Sequence, residues 1–213
     1  AGFSRLENGA KTVERIRIYY GGLTAEQFLF REIRTVAKLY LAKKGMTEAI
    51  DEIKANNLFQ YPTEREVSRI ARACYKRLEA LDNDMLRQEL AYGPSPVAKQ
   101  INLYAMMRYN ALIWDFMLQV IGEKFQDQDF SFSRKDLHAF FARLQEQNDR
   151  VAAWSAGTVQ KIKSVLVRSL METEYLDSIQ ANTLNRVILS PELEQGIRAN
   201  GDEDALPAFH CLK

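Results

Sequence analysis

From Val97 to about Phe125 the chain predicts a long helix that is apolar on most of its sides, around Met106, Ile113, Trp114, Phe116, Met117 and Val120. A helix that is greasy nearly all round has no solvent face and must lie at the centre of a fold. It does not suit a bilayer. Its most apolar stretch, Ala111 to Gly122, carries Asp115 and Gln119 and is too short to cross. With 213 residues, 46% of them hydrophobic, the chain can wrap such a helix in one large or two small domains.

Helical signals precede this segment. Thr24 with Gln27 forms a capping-box pattern for a helix through about Lys44, stopped by Gly45. Thr47 caps a short helix ending near Asn56-Asn57. Thr63 with Glu66 opens a helix to about Leu81, with Val67, Ile70, Ala71, Cys74, Leu78 and Leu81 on one face. A short helix is predicted over 83–91, and "GPSP" at 93–96 breaks the chain. "RIRIYY", ahead of Gly21-Gly22, alternates as a short strand would.

After "QDQDFSFS" the rhythm changes, which places a domain boundary near residue 130 and gives parts 1–130 and 131–213. Ser133 with Asp136 caps a helix to about Gln147, and a short helical piece covers Asp149–Ala153. Ser155 or Thr158 caps the next helix, which runs to Glu172. "EYLDSIQANTLNRVILS" reads as two short strands around Ala181-Asn182-Thr183. Ser190-Pro191 starts a last helix, ended by Asn200-Gly201. Helix, short helix, helix, hairpin is the order of a winged helix-turn-helix. The expected fold is mainly α, a helical N-terminal domain followed by a winged helix-turn-helix with one β-hairpin.

Net charge is +1, so composition carries no global nucleic-acid signal. The charge is unevenly spread. Lys and Arg exceed Asp and Glu over residues 1–125, whereas Glu192, Glu194, Asp202, Glu203 and Asp204 crowd the C-terminal stretch against Arg198 and Lys213. A basic body with an acidic tail hints at a polyanion partner. Two surfaces carry that hint. In the helix after Trp154, Val159, Ile162, Leu166, Ser169 and Leu170 share one face, and Gln160, Lys161, Ser164 and Arg168 share the opposite one. Ser155 and Thr158 at its start, with Asn182, Asn185 and Arg186 in the following hairpin, complete a candidate DNA-contacting set. The second surface is the stripe Arg65, Arg69, Arg72 and Lys76, opposite the apolar face of its helix. Four like charges in line repel one another, and a polyanion is a reason to keep them. An ordinary solvated face is the alternative for both.

Catalytic and metal chemistry leave no motif. Cys74 and Cys211 form no pattern, and this cysteine usage suits a reducing cytoplasm. His138 reads as structural, and His210 beside Cys211 is two ligands short of a zinc site. "YYGGLT" lacks the spacing of a phosphate-binding loop, and Asp115 reads as a structural carboxylate with Arg108 on its stripe. No cofactor is expected. The opening residues show no signal-peptide pattern, so a cytoplasmic protein is expected.

Three segments together resemble the BrxA family of bacteriophage exclusion (BREX) defence systems. They are "NNLFQYPTEREVSRIARACYKRLEAL" at 56–81, "KQINLYAMMRYNALIWDFMLQVIGEKF" at 99–125 and "WSAGTVQKIKSVLVRSLMETEYL" at 154–176. The matching positions are Asn57, Arg77, Leu78, Leu81, Asp115, Phe116, Trp154, Ser155 and Thr158. The resemblance implies an N-terminal bundle similar to NusB-type antitermination factors and double-stranded DNA binding without enzymatic activity. It also implies work beside a methyltransferase, an ATPase and a phosphatase-like partner. The rival expectations are an adaptor that docks those components, and RNA binding in the manner of antitermination factors. No membrane partner is expected.

Overall fold

The long apolar segment breaks where its sequence supplies a competing hydrogen-bond acceptor, at Asn110. In the computed structural model, which describes residue 19 and residues 21–211, a 3-10 turn over Gly21–Thr24 precedes α1 (Phe30–Leu41), α2 (Met46–Ala55), α3 (Glu64–Leu81), α4 (Asp84–Tyr92) and α5 (Ser95–Tyr109). Every residue from Ile101 to Met107 is buried. Asn110 then turns extended, with φ −131° and ψ 113°, and its side chain accepts the Leu112 N–H at 2.9 Å. Asparagine competes with the helix for local backbone groups, so it favours caps over helix interiors. The single helix expected over 97–125 is therefore α5, α6 (Ala111–Phe116), a π-helical turn Met117–Gly122 and α7 (Glu123–Gln126). The chain continues through α8 (Arg134–Gln147), α9 (Asp149–Ala152), α10 (Ala156–Glu172), α11 (Pro191–Ala199) and a 3-10 turn Glu203–Phe209.

α3 is the hub of the first layer. Its expected apolar face is buried throughout, and it packs on α1, α2 and α5. Thr63 caps it, accepting the Glu66 N–H. The capping box expected at Thr24 does not form, and α1 begins only at Phe30, behind Leu29 in the left-handed region. The reason is Arg77. Its guanidinium is buried and donates to the Glu26, Gln27 and Phe28 carbonyls, at 2.5, 2.8 and 3.3 Å. Those carbonyls would otherwise enter a helix. α1 also ends earlier than Lys44, and Gly45 caps α2 instead of stopping α1. The "RIRIYY" strand lies outside the described residues except for Tyr19, whose hydroxyl donates to Asp115 at 2.5 Å.

The C-terminal stretch folds back over the central helices. α11 packs on α4 and α5, and buries Leu193 and Ile197. Asp202 accepts from Tyr104 at 2.6 Å and pairs with Arg108, so Arg108 serves Asp202, where the sequence pattern had offered Asp115. Asn200 donates to the Leu81 carbonyl at 3.0 Å. The Glu203–Phe209 turn lies against the π turn. There a Cβ on Gly122 would sit 3.3 Å from the Ala208 nitrogen, so the absence of a side chain permits the approach. The acidic residues of this stretch thus ride on packed helices, and buried residues from both sides of residue 130 belong to one hydrophobic cluster.

The expected β-hairpin is absent. The described residues contain no strand, only one antiparallel bridge between Ser131 and Thr183. The segment after α10 pairs with the connector instead of with itself. Phe132 N–H donates to Asn182 O at 2.9 Å, and Leu184 N–H to Phe130 O at 2.6 Å. Tyr175 and Leu176, expected in the first strand, are buried, and the Tyr175 hydroxyl donates to Ala208 O at 2.8 Å. Alternation of apolar residues here reflects side chains anchored in the core one at a time, without a ladder.

Gly196 offers a test of the packing of α11. A Cβ there would fall 2.4 Å from a Leu86 methyl carbon and 2.6 Å from Leu86 Cγ. On an exposed helix Gly→Ala gains about 1 kcal/mol, whereas overpacking a core costs roughly 1–3 kcal/mol. Gly196→Ala is expected to lower the urea unfolding midpoint. A raised midpoint would show the α4–α11 contact to be loose.

Candidate nucleic-acid interface

α10 presents the division of faces that its sequence predicts. Ser155 caps it, its Oγ accepting the Thr158 N–H at 3.1 Å and lying 3.0 Å from Thr158 Oγ1. Both residues are thus engaged in holding the helix start. Val159, Ile162, Leu166, Ser169 and Leu170 are buried, and Gln160, Lys161, Ser164 and Arg168 are exposed. Lys161 and Arg168 form no ion pair among the described residues. Ser164 turns back, its hydroxyl donating to Gln160 O at 3.0 Å.

A groove of about 490 Å³ runs beside this face, between α10, the start of α8 and residues 179–182. It brings together Ser164, Arg168 and Asn182 of the expected set. It adds Arg134, His138 and Lys163, which face reading by periodicity left out. Arg134 and His138 stand four apart on α8, a one-face spacing that does signal them. Lys163 gave no such signal, because it lies at the edge of the apolar face of α10, beside Leu170. It is buried, and its Nζ lies 3.1 Å from His138 Nδ1. Burial lowers its pKa from the ordinary lysine value. α8 carries the expected capping box of Ser133 with Asp136.

Arg186 is not with this group. It stacks over Phe130, 4.8 Å from the ring centroid, on a separate depression shared with His210 and Cys211. Asn185 is also occupied, donating to Glu174 O at 3.0 Å and to Asp177 at 2.8 Å. The stripe on α3 stands as expected, with Arg65, Arg69, Arg72 and Lys76 all exposed. Arg69 has Glu66 at 3.6 Å, an exposed pair worth at most about 1 kcal/mol. Among the described residues no hydrogen bond or ion pair joins this stripe to α10. Among those residues no cluster of three His, Cys, Asp or Glu stands close enough to share a metal, and no helix is long and apolar enough to cross a membrane.

A family model described as BrxA matches residues 17–201. The chain belongs to the BrxA family. It is 33% identical to the BREX protein BrxA of Bacillus cereus over 189 residues, 87% of this chain and 93% of that one. It is 22% identical to the BREX protein BrxA of Escherichia coli over 205 residues, 96% and 92% of the two chains. The crystal structure of an uncharacterised protein from Magnetospirillum magneticum superposes with a TM-score of 0.78 at 20% identity, covering 90% of this chain and 97% of that one. The fold is thus shared with that solved structure, and the chain is a BrxA-family protein of BREX phage-defence systems.

The two faces of α10 respond differently to substitution. Leu166→Ala removes a side chain 2% exposed and is expected to cost roughly 2–5 kcal/mol. Lys161→Glu with Arg168→Glu changes only exposed groups and is expected to stay within about 0.5 kcal/mol of the parent. Thermal unfolding of the two variants checks the difference. Equal destabilisation would mean that the outer face is not a free surface.

Proposed function

We propose that the protein is a non-enzymatic duplex-DNA-binding accessory of its BREX system. It grips the phosphate backbone with the outer face of α10 and with the α3 stripe. α8, α9 and α10 act as a helix-turn-helix, and the irregular segment 173–190 takes the place of a wing. The carrying observation is the outer face of α10, where Lys161 and Arg168 stand exposed without carboxylate partners among the described residues, beside a groove that no Asp or Glu lines. Phosphates are the countercharge such a surface lacks. The set is short of side chains that read base edges in pairs, so positioning on the backbone dominates over sequence reading. On this reading parts 1–130 and 131–213 each supply one basic surface, the first a NusB-like bundle.

A second reading is favoured by the exposed apolar side chains Ile188, 87% exposed, and Ile179 and Tyr92, each 58% exposed. Such residues suit docking of another BREX component, with DNA contact incidental.

Gel shifts with duplex DNA, single strands and RNA separate these. Lys161→Glu with Arg168→Glu is expected to weaken duplex binding tenfold or more, about 1.4 kcal/mol. Arg69→Glu with Arg72→Glu is expected to weaken it for every duplex sequence alike. Full duplex affinity in both variants, with salt-resistant capture of another BREX protein, favours the adaptor. Tighter binding of RNA than of duplex DNA favours the antitermination-like alternative.

A further inference from the structure

The groove between α8 and α10 adds to Arg168 of the backbone grip three basic side chains that the grip does not use. Four basic side chains line it, Arg134, His138, Lys163 and Arg168, and no acidic one. Arg134 and Arg168 make no ion pair among the described residues. Lys163 is only 9% exposed. A buried ammonium ordinarily has a carboxylate beside it, because desolvation is otherwise uncompensated. Here its neighbours are His138 Nδ1 and the Phe141 ring, 5.3 Å from Nζ to the centroid. An ammonium can only donate, so the contact requires His138 Nδ1 to accept and its proton to sit on Nε2. The site thus holds a buried lysine with no carboxylate beside it, and an entering anion supplies the missing countercharge.

Apolar side chains stand among these cations. Leu137, Val167 and Ile179 line the groove, and Ile179 is left 58% exposed at its rim. Gln180 and Asn182 stand beside them with amide groups able to both donate and accept. A volume of about 490 Å³ lies within the range of small-molecule sites, which combine an apolar lining with a few placed polar groups. Inorganic phosphate would answer the cations and leave the apolar side chains wet. A nucleoside would cover the apolar side chains and leave the cations without an anion.

We propose that this groove binds a single nucleoside monophosphate unit, its phosphate on Lys163, Arg134 and Arg168 and its base against Val167 and Ile179 with Gln180 and Asn182 at the base edge. The unit is either a free nucleotide or the 5′-phosphorylated end of an unpaired strand. The site goes beyond duplex binding, since its anchor Lys163 is turned away from the outer face of α10.

Calorimetry with the whole protein tests it, using 2′-deoxyadenosine 5′-monophosphate, deoxyadenosine, inorganic phosphate and a 5′-phosphorylated single-stranded oligonucleotide. The nucleotide is expected to bind at least tenfold more tightly than either the nucleoside or phosphate. Lys163→Met, which keeps the aliphatic stem, is expected to weaken it at least tenfold. Ile179→Asp, an exposed change that sets a negative charge at the rim, is expected to do the same and serves if Lys163→Met does not fold. Tighter binding of the phosphorylated strand than of the free nucleotide identifies the strand end as the ligand, and the reverse order identifies the nucleotide. Equal binding of phosphate and nucleotide, no nucleotide binding at millimolar concentration, or indifference to both variants overturns the proposal. Lys161→Glu, outside the groove, is expected to weaken duplex binding and leave nucleotide binding unchanged, so the two readings fail separately.

Discussion

The rest of the structure depends on covering one helix on all sides. α5 from Ile101 to Met107, and most of the α6 and π-turn segment after it, reach no solvent. One layer cannot do this, so cover is drawn from both directions along the chain. α3 and α4 pack on α5 from the N-terminal side, and α11 from the C-terminal side. Two polar devices hold the cover in place. Arg77 gathers the carbonyls of residues 26–28 ahead of α1. Asp202 receives Tyr104 and Arg108, tying the chain's last turn to α5. Breaking either leaves buried polar groups without partners, which costs more than an ordinary hydrogen bond contributes.

This demand sorts the charged residues. In the acidic C-terminal stretch Asp202 is drawn inward onto Arg108 and Glu194 pairs with Arg198 at the surface, while Glu203 and Asp204 are exposed. The basic outer faces of α3 and α10 have no comparable use inside the molecule. Arg65, Arg72, Lys76, Lys161 and Arg168 stand in water. The family's matching residues behave in the opposite way. Arg77, Leu78, Leu81, Asp115 and Phe116 are buried, Asn57 occupies a left-handed turn with φ 46°, and Ser155 and Thr158 start α10. They specify the shared fold more than any contact with a partner.

Helices were legible wherever one period of apolar residues met a cap. α3, α8, α10 and α11 show both, and their faces bury as the spacing demands. What sequence could not show is long-range polar competition. The Thr24–Gln27 pattern is sound locally, yet Arg77, some fifty residues on, claims the carbonyls a helix would need. Asn110 sits in an apolar run that hides its cap role. Residues 175–189 alternate like strands because single side chains reach inward. Their backbone pairs instead with Phe130 and Phe132. At the candidate site, outward residues of α10 were legible from periodicity. Lys163 was not, because the function of a lysine at the edge of the apolar face is set only by the helix packed against it.

The central claim is that exposed basic faces of this BrxA-family chain meet the phosphate backbone of duplex DNA. Its most direct test is the salt dependence of affinity for one duplex, measured by fluorescence anisotropy on the parent protein. If roughly four to six phosphates are neutralised, log K falls with log salt at a slope of about −4 to −5. A flat response would contradict the account and leave the two basic faces as solvated surface.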